Sequence, residues 1–160
     1  MIDIPRPDFR DNGEEMLCFG CSPQNPIGLK VEMTWDGQYV HGIFRPQVLH
    51  QGWPGFVHGG ILMTVLDEVM ANTGFLQGIH CVTATIQVKL KRPARLEDAI
   101  SATAWVTRKT SRLLDTAGKL TTADGHLIAE STATFYITGI ASPGDSARRQ
   151  LPESDISGSK

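Results

Sequence analysis

Apolar and polar positions alternate along two short stretches near the start of the chain and then give way to one long apolar segment. Residues 29–35 and 39–44 alternate as half-buried strands do, and Asp36-Gly37 between them is a hairpin turn signal. Residues 59–75 have helical periodicity instead, with apolar side chains on nearly every side. The predicted helix has one continuous apolar stripe, made of Leu62, Val65, Leu66, Val69 and Thr73.

Four stretches after this helix have the two-residue period of strands, at residues 81–90, 99–108, 113–122 and 126–138. In the first of them we expect an apolar face opposite a polar one, namely Val82, Ala84, Ile86, Val88 and Leu90 against Thr83, Thr85, Gln87 and Lys89. A hairpin, one long helix and a run of antiparallel strands predict an α+β fold. Because the helix is apolar nearly all round, the sheet has to wrap it, and pairing of two such sheets would cover their edges. We therefore expect a dimer.

Two adjacent carboxylates, Asp67 and Glu68, interrupt the predicted helix. At about 100° per residue, Asp67 falls beside Met63 and Met70, whereas Glu68 falls beside Ile61. Since burying an unpaired carboxylate is costly, at least one of the two should face a wet cleft, a polar partner or another subunit.

The predicted helix opens on the segment Val57-His58-Gly59-Gly60. Glycines there let a ligand approach the backbone closely. The first helical N–H groups have no intrahelical acceptor, and the helix dipole adds partial positive charge. Such an end suits a carbonyl oxygen that becomes negative during a reaction, and a carboxylate on the same helix could act as a base or nucleophile.

The 160 residues suffice for one domain with a real core. A net charge of −2 gives no electrostatic footprint for nucleic acid and no polybasic patch for a membrane. The start of the chain is acidic and broken by prolines, unlike a signal peptide, and no apolar run nears the ~20 residues that span a bilayer. We expect a cytoplasmic protein with an N-terminal arm over residues 1–17, one domain over residues 18–140 and a mostly disordered tail over residues 141–160.

Three cysteines, an odd number without an export signal, argue against a disulfide framework. Cys18 and Cys21 have the C-x-x-C spacing at which two thiolates can hold one zinc ion. A structural site wants four ligands, however, and no second pair is present, so only folding could bring Cys81 with His80 or His50 to the first pair. We therefore expect no metal, and two small cysteines buried in a packed loop.

The order of these elements resembles the hotdog-fold thioesterases, in particular acyl-CoA thioesterases of the phenylacetate-degradation (PaaI-like) type. The features that carry the likeness are the strand hairpin, a His-Gly-Gly helix start with a carboxylate nine residues after the histidine, and the antiparallel strands that follow. The segments C-F-G-C…N-P-I-G-L from Cys18, G-W-P-G-F-V-H-G-G from Gly52 and L-D-E from Leu66 add to it. The resemblance covers about residues 15–140 and implies an antiparallel sheet wrapped around the central helix.

The resemblance implies a role for each residue of the motif. The Gly59 N–H, with or without that of Gly60, would polarise the thioester carbonyl, and His58 would orient this turn or lie near the thioester. Asp67 from the partner subunit's helix would attack the carbonyl or activate water. Thr83 would help to hold that water.

Substrate-binding residues are expected in two loops. Many members of the family use an amide side chain six residues before the histidine, a position that is Gly52 here, so Gln51 would serve only if the loop bulges. Lys91, Arg92 and Arg95 form a basic loop that could hold the phosphates of coenzyme A, because phosphate favours arginine forks. Coenzyme A would enter as part of the substrate, and no separate cofactor is expected.

Several of these residues also have a purely structural interpretation. His58 could cap or hydrogen-bond a loop, the glycine pair could serve only tight helix packing, and Thr83 could be an ordinary strand threonine. The basic loop could be a solvated strand end. Glu68 competes with Asp67 for the catalytic role.

We expect an enzyme that hydrolyses an acyl-CoA thioester to a free acid and coenzyme A, working as a homodimer or homotetramer. A hotdog acyl-CoA hydratase or dehydratase is one alternative, although such relatives typically place an aspartate close to the helix-start histidine, and none lies two to five residues from His58. A non-catalytic acyl-CoA binding module is the other. The apolar side chains expected around an acyl group are Trp53, Phe56, Met63, Met70 and Trp105.

Overall fold

The computed structural model describes residues 17–140, which form one antiparallel sheet and one long helix. In chain order the elements are β1 (Glu32–Trp35), β2 (Tyr39–Phe44), α1 (Gly59–Phe75), β3 (Ile79–Leu90), β4 (Ile100–Lys109), β5 (Leu113–Thr121) and β6 (Leu127–Ile140), with a 3-10 turn at Val48–His50 before α1. The arm predicted for residues 1–17 lies outside the described residues except for its last position, and so does the tail predicted for residues 141–160. Within the described range, no helix has the length and apolarity needed to cross a bilayer.

The six strands are arranged in the order β1-β2-β4-β5-β6-β3, and every neighbouring pair is antiparallel. Helix α1 packs across the strands from β2 to β6. The α+β prediction, with a sheet around one central helix, is confirmed. The predicted bounds of β2 and α1 coincide with the observed ones, and those of β3 to β6 agree within two residues.

β1 begins later than the alternation predicts, because the segment before it pairs with a loop instead of a strand. The N–H of Leu29 bonds to the carbonyl of Phe19, and the N–H of Val31 bonds to that of Gly20. Lys30 between them has a φ of 55°, a left-handed conformation that breaks the extended backbone. Leu29 and Val31 are nevertheless buried, so the alternation correctly marks which side chains point inward.

Helix α1 buries a broad side against the sheet, consisting of Leu62, Val65, Leu66, Val69, Met70, Thr73 and Gly74. Glycines on the facing strands let the helix lie close. A Cβ added to Gly42 of β2 would lie 2.9 Å from Cγ1 of Val69, and one added to Gly118 of β5 would lie 3.0 Å from Cγ of Met70. The depth at which the carboxylates of α1 sit over the sheet therefore depends on small residues in the strands.

β3 contains a bulge that changes which of its side chains face the helix. Thr83 pairs with Phe135 and Thr85 pairs with Thr134, so Ala84 is an extra residue without a partner. Directly opposed residues share a face of the sheet, and Phe135 is fully buried. Thr83 therefore faces the core side, as do the later apolar residues. The sequence-based prediction that Thr83 lies opposite the apolar face of this strand is wrong, because simple alternation ignores the bulge.

β3 is also an edge strand of the sheet, and it is long. Its apolar side chains are only partly covered, since Ile86 is 37% exposed and Leu90 is 45% exposed. On the neighbouring helix Met63 is 41% exposed. A long, apolar edge of this kind is a surface that proteins normally pair or cover.

Candidate active site

A cleft of about 810 Å³ lies at the start of α1. Its lining includes Trp53, Pro54, Phe56, His58, Gly59 and Pro93. Two of the aromatic residues expected around an acyl group thus border the helix start. Met70, by contrast, is fully buried against the sheet. The cleft places apolar surface beside backbone N–H groups that have no intrahelical acceptor.

The N–H groups of the first helical turn are not equally available. The N–H of Gly60 donates to Nδ1 of His58 at 2.9 Å. Those of Ile61 and Leu62 donate to the carbonyl of His58. No acceptor for the N–H of Gly59 exists among residues 17–140. Gly59 lines the cleft, so this geometry favours Gly59 over Gly60 as the donor to a substrate carbonyl.

His58 is the N-cap residue of α1, and the surrounding loop holds it in place. Its N–H bonds to the carbonyl of His50 at 2.9 Å. A Cβ added to Gly52 would come within 3.2 Å of Cα and Cδ2 of His58. A larger residue at position 52 would need this contact to open. His58 thus contacts the glycine turn, and its predicted role in orienting that turn for a reaction stays a prediction.

Asp67 and Thr83, two predicted catalytic residues, are in direct contact. Oγ1 of Thr83 donates to Oδ1 of Asp67 at 2.9 Å, from the edge strand to the helix. The bulge at Ala84 makes this contact possible, because it turns Thr83 toward the core side of β3. The threonine fixes one carboxylate oxygen and leaves the other to a further partner.

Burial raises the pKa of Asp67 above its ordinary value, the Thr83 hydrogen bond lowers it by a smaller amount, and the charge of Glu68 raises it again. Partial desolvation disfavours the ionised form and makes the carboxylate a stronger proton acceptor than an exposed one. Such a group, held in one orientation, can take a proton from water.

Glu68 has different partners from its neighbour. The thiol of Cys18 lies 3.5 Å from both of its carboxylate oxygens, and Nδ2 of Asn72 donates to Oε1 at 3.1 Å. Burial raises the pKa of Glu68. The pKa of Cys18 is lowered to about 5, and the neighbouring Cys21 side chain is the largest cause of this lowering. The two carboxylates therefore lie in separate environments, and of the two only Asp67 accepts a hydrogen bond from Thr83.

The cysteine loop is where sequence reasoning missed a contact. Cys18, Cys21 and Glu68 offer ligand atoms that all lie within 4.8 Å of one another, a group that could hold a metal ion. Cys81, suggested as a third ligand, instead lies 4.0 Å from the carbonyl of Ala71. Glu68 is 50 positions from Cys18, so no spacing rule pointed to it.

The predicted substrate-binding residues are exposed and neighbour cleft residues in sequence, but none of the four is among the residues that line the cleft. Gln51 forms an isolated bridge with Val57 and is exposed. In the basic loop, Nζ of Lys91 lies 3.0 Å from Oε1 of Glu130, and Nη1 of Arg95 lies 3.2 Å from Oε1 of Glu97.

Arg92 is exposed and forms no ion pair with another described residue. Its neighbour Pro93 lines the cleft. Surface ion pairs such as those of Lys91 and Arg95 are weak. Both side chains can therefore give up their carboxylate partners to bind a phosphate, and Arg92 has no such partner to give up among the described residues.

Gly59 and Asp67 are far apart within one chain. They lie on the same helix, eight residues from each other, which corresponds to about 12 Å along its axis. A carbonyl bound to the N–H of Gly59 is therefore beyond the reach of Asp67 from the same helix.

The sequence is similar to that of known thioesterases. Residues 54–129 match a protein-family model described as the thioesterase superfamily. Acyl-coenzyme A thioesterase THEM4 of Rattus norvegicus is 29% identical over 94 residues, which are 58% of this chain and 40% of that protein. The chain spans less than half the length of the curated relatives that it matches.

Solved structures of thioesterases share the fold. A hypothetical thioesterase from Streptococcus pneumoniae TIGR4, crystallised with coenzyme A, superimposes with a TM-score of 0.67 at 18% identity, covering 70% of this chain and 88% of that one. The PaaI protein of the phenylacetic acid degradation operon of E. coli gives a TM-score of 0.64 at 17% identity, covering 68% and 83% of the two chains. At such identities the likeness establishes the fold, and the predicted hotdog fold is confirmed.

Proposed function

Because its predicted resemblance to PaaI-like, hotdog-fold thioesterases is confirmed, we propose that this chain is an acyl-CoA thioesterase. The reaction adds water to the thioester carbonyl, breaks the carbon–sulfur bond and yields a free acid and coenzyme A. The oxygen of the carbonyl becomes negative in the transition state, and the sulfur leaves as a thiol or thiolate.

The observation that carries this proposal is the open N–H of Gly59 in the cleft. It lies at the start of a 17-residue helix and has no acceptor among the described residues. His58 holds the next N–H, so the turn is preorganised before a substrate arrives. Losing one donor of an oxyanion site typically costs about 2.7–4 kcal/mol of transition-state stabilisation. The contribution of Gly59 is too small to act alone, which is why a carboxylate is also needed.

Asp67 is the carboxylate that this reaction also needs, acting as general base or nucleophile. Thr83 holds one of its oxygens, so the other can accept a proton from water or attack the carbonyl. Because about 12 Å of helix separates Asp67 from Gly59 in one chain, the two groups would come from different subunits. The active unit is then a homodimer, alone or within a homotetramer.

The partner subunit would lie along the apolar edge. β3 carries Ile86 and Leu90, which are only partly covered, and it also carries Thr83, which holds the catalytic carboxylate. A second copy placed along this strand would cover the edge and bring a second helix start near Asp67. Association and catalysis would then depend on the same surface.

The acyl group and the coenzyme A moiety would take different sides of the cleft. Trp53 and Phe56 offer apolar surface to the acyl group. Lys91 and Arg92 precede Pro93 of the cleft in sequence and Arg95 follows it, and their positive charges would attract the phosphates. Gln51 is close enough in sequence to His58 to contact the thioester if its loop shifts.

The test is thiol release from a panel of acyl-CoA thioesters by wild type and by Asp67→Asn. The amide keeps the shape of the side chain and accepts from Thr83, but it cannot take a proton, so turnover should fall by about 10²–10⁴-fold. Asp115→Asn is a matched control, because Asp115 also accepts from a threonine, Thr134, at 2.7 Å. That variant should retain turnover.

Other results would replace the proposal. Full turnover in Asp67→Asn, with loss in Glu68→Gln, would exchange the roles of the two carboxylates. Tight binding of many acyl-CoAs without thiol release would favour a binding module. Loss of enoyl absorbance with no thiol released would favour a hydratase.

A further inference from the structure

Three potential metal ligands converge where the loop that contains the C-x-x-C motif meets helix α1. Sγ of Cys18, Sγ of Cys21 and a carboxylate oxygen of Glu68 all lie within 4.8 Å of one another, and all three residues are half-buried. The loop has to leave room for the carboxylate. A Cβ added to Gly20 would overlap Oε2 of Glu68, so a larger residue there would have to displace the end of that side chain.

The separation between Cys18 and Glu68 matches an edge of a zinc coordination tetrahedron. With zinc–sulfur bonds near 2.3 Å and zinc–oxygen bonds of 2.0–2.2 Å, adjacent ligand atoms lie roughly 3.5–3.8 Å apart. The Cys18 sulfur lies 3.5 Å from each oxygen of Glu68. The Cys21 sulfur lies within 4.8 Å of both other ligand atoms, so the three side chains would have to rotate toward a common centre to bind one ion.

The donor set and its surroundings select a thiophilic divalent cation. Two sulfurs and one carboxylate oxygen suit zinc, whereas magnesium and calcium prefer oxygen alone. No ion pair among the described residues involves Glu68, so these residues provide no cation to balance the site.

We propose that Cys18, Cys21 and Glu68 bind one zinc ion, with the fourth coordination position taken by solvent. The ion would link the loop of residues 18–28 to the middle of α1 through Glu68. It would also keep the Glu68 side chain away from the β3 edge, where Asp67 contacts Thr83. This role is structural and does not depend on the thioesterase proposal.

The first measurement is the metal content of the full chain, purified in reducing buffer without a metal-binding tag. We expect one zinc per chain. Cobalt added to the metal-free protein should give the intense near-ultraviolet charge-transfer band and the visible bands of a tetrahedral site with thiolate ligands. Failure of the reduced chain to take up either metal would overturn the proposal, including the case in which Cys18 and Cys21 are found joined as a disulfide.

The second measurement compares variants. Zinc binding should weaken by about 10-fold to 100-fold in each of three variants, Cys18→Ser, Cys21→Ser and Glu68→Gln, since each substitution removes or weakens a ligand. Cys81→Ser is the matched control and should bind as wild type does, because Cys81 lies outside the cluster. Zinc that binds equally well to all four variants would be bound elsewhere, and the assignment would be wrong.

The wild-type chain gives a third measurement that needs no variant to fold. Removing zinc with a chelator should lower Tm by about 5 °C or more, and returning zinc should restore it, because a ligand that binds only the folded state stabilises it. A Tm that does not respond to zinc in the reduced protein would contradict the structural role.

Discussion

At the scale of single residues, two neighbouring carboxylates have different partners. Asp67 and Glu68 are adjacent in sequence but point about 100° apart around the helix. Asp67 reaches across to Thr83 on the sheet edge, whereas Glu68 reaches back to Cys18 and along the helix to Asn72. Two adjacent residues of one helix therefore contact different parts of the fold, which allows the separate roles proposed for them.

Thr83 is the residue of the sheet whose hydrogen bond holds the Asp67 carboxylate in one orientation. Thr83→Val keeps the shape and the strand preference but removes the donor, and a hydrogen bond to a charged group is worth about 1.5–3 kcal/mol. We expect kcat for thioester hydrolysis to fall by roughly 10-fold to 100-fold, with a much smaller change in KM. Steady-state kinetics on the best substrate of the acyl-CoA panel would measure both.

Thr134→Val is the control for that substitution, since Thr134 also donates to an aspartate, Asp115, which lies on the neighbouring strand β5 and not on the helix. It should leave kcat unchanged. Equal effects of the two substitutions would mean that Thr83 acts only through the stability of the sheet.

The sequence predicted most residues of the candidate site but not their partners. His58, Gly59 and Asp67 were expected from the His-Gly-Gly segment and the carboxylate nine residues after the histidine, and Thr83 from the resemblance to hotdog-fold thioesterases. The contact between Glu68 and the cysteine loop was not predicted, because it joins segments 50 residues apart through tertiary packing.

At the scale of elements, the position of α1 over the sheet depends on glycines in the strands. Gly42 of β2 lies under the stiff side chain of Val69, with Ala102 and Val31 also close. A Cβ at this position has no flexible neighbour to displace. The helix, and with it Asp67, would have to move outward.

Gly42→Ala should therefore destabilise the fold by about 1–3 kcal/mol, the usual cost of overpacking a core. Gly139→Ala is the matched control, because its Cβ would meet only His80, at 4.0 Å. That change should be neutral or stabilise by up to about 1 kcal/mol, since alanine restricts the unfolded chain. Chemical denaturation gives both free energies of unfolding, and equal values for the two variants would contradict the packing argument.

The β3 bulge is a second case in which an element differs from its sequence pattern. Alternation places Thr83 opposite Ile86 and Val88, but the extra residue Ala84 brings them to the same face. A bulge adds one residue to one strand only, so it depends on the partner strand β6 as much as on β3. A pattern read along a single strand has no information about it.

At the scale of the whole molecule, the sheet has two edges of different character. The β3 edge is twelve residues long and carries the partly exposed Ile86 and Leu90. The β1 edge has four residues, of which Trp35 is 41% exposed. The longer apolar edge is the better surface for a second copy.

Ile86→Lys should weaken self-association by about tenfold or more, because it places a charge against an apolar partner surface. Thiol release should fall in parallel if the site is shared between subunits. Trp35→Lys is the control at the opposite edge, with a similar starting exposure, and should retain both properties. Sedimentation velocity with kinetics at the same protein concentrations would measure this. A wild-type monomer with full turnover, or a dimer disrupted equally by both substitutions, would contradict the shared site.

The sequence by itself determined the class of fold, the bounds of α1 and the identity of the glycine-led helix start, because these depend on local periodicity and on backbone freedom at Gly59 and Gly60. Only the tertiary structure decided which carboxylate meets Thr83, which one meets the cysteines, and which N–H of the first turn stays open. Those outcomes depend on contacts between segments distant in sequence, and on a bulge whose register is set jointly by two strands. Local propensity constrains where the chain turns and which side is buried, whereas the pairing of polar groups is fixed only when the packed core sets the distances between them.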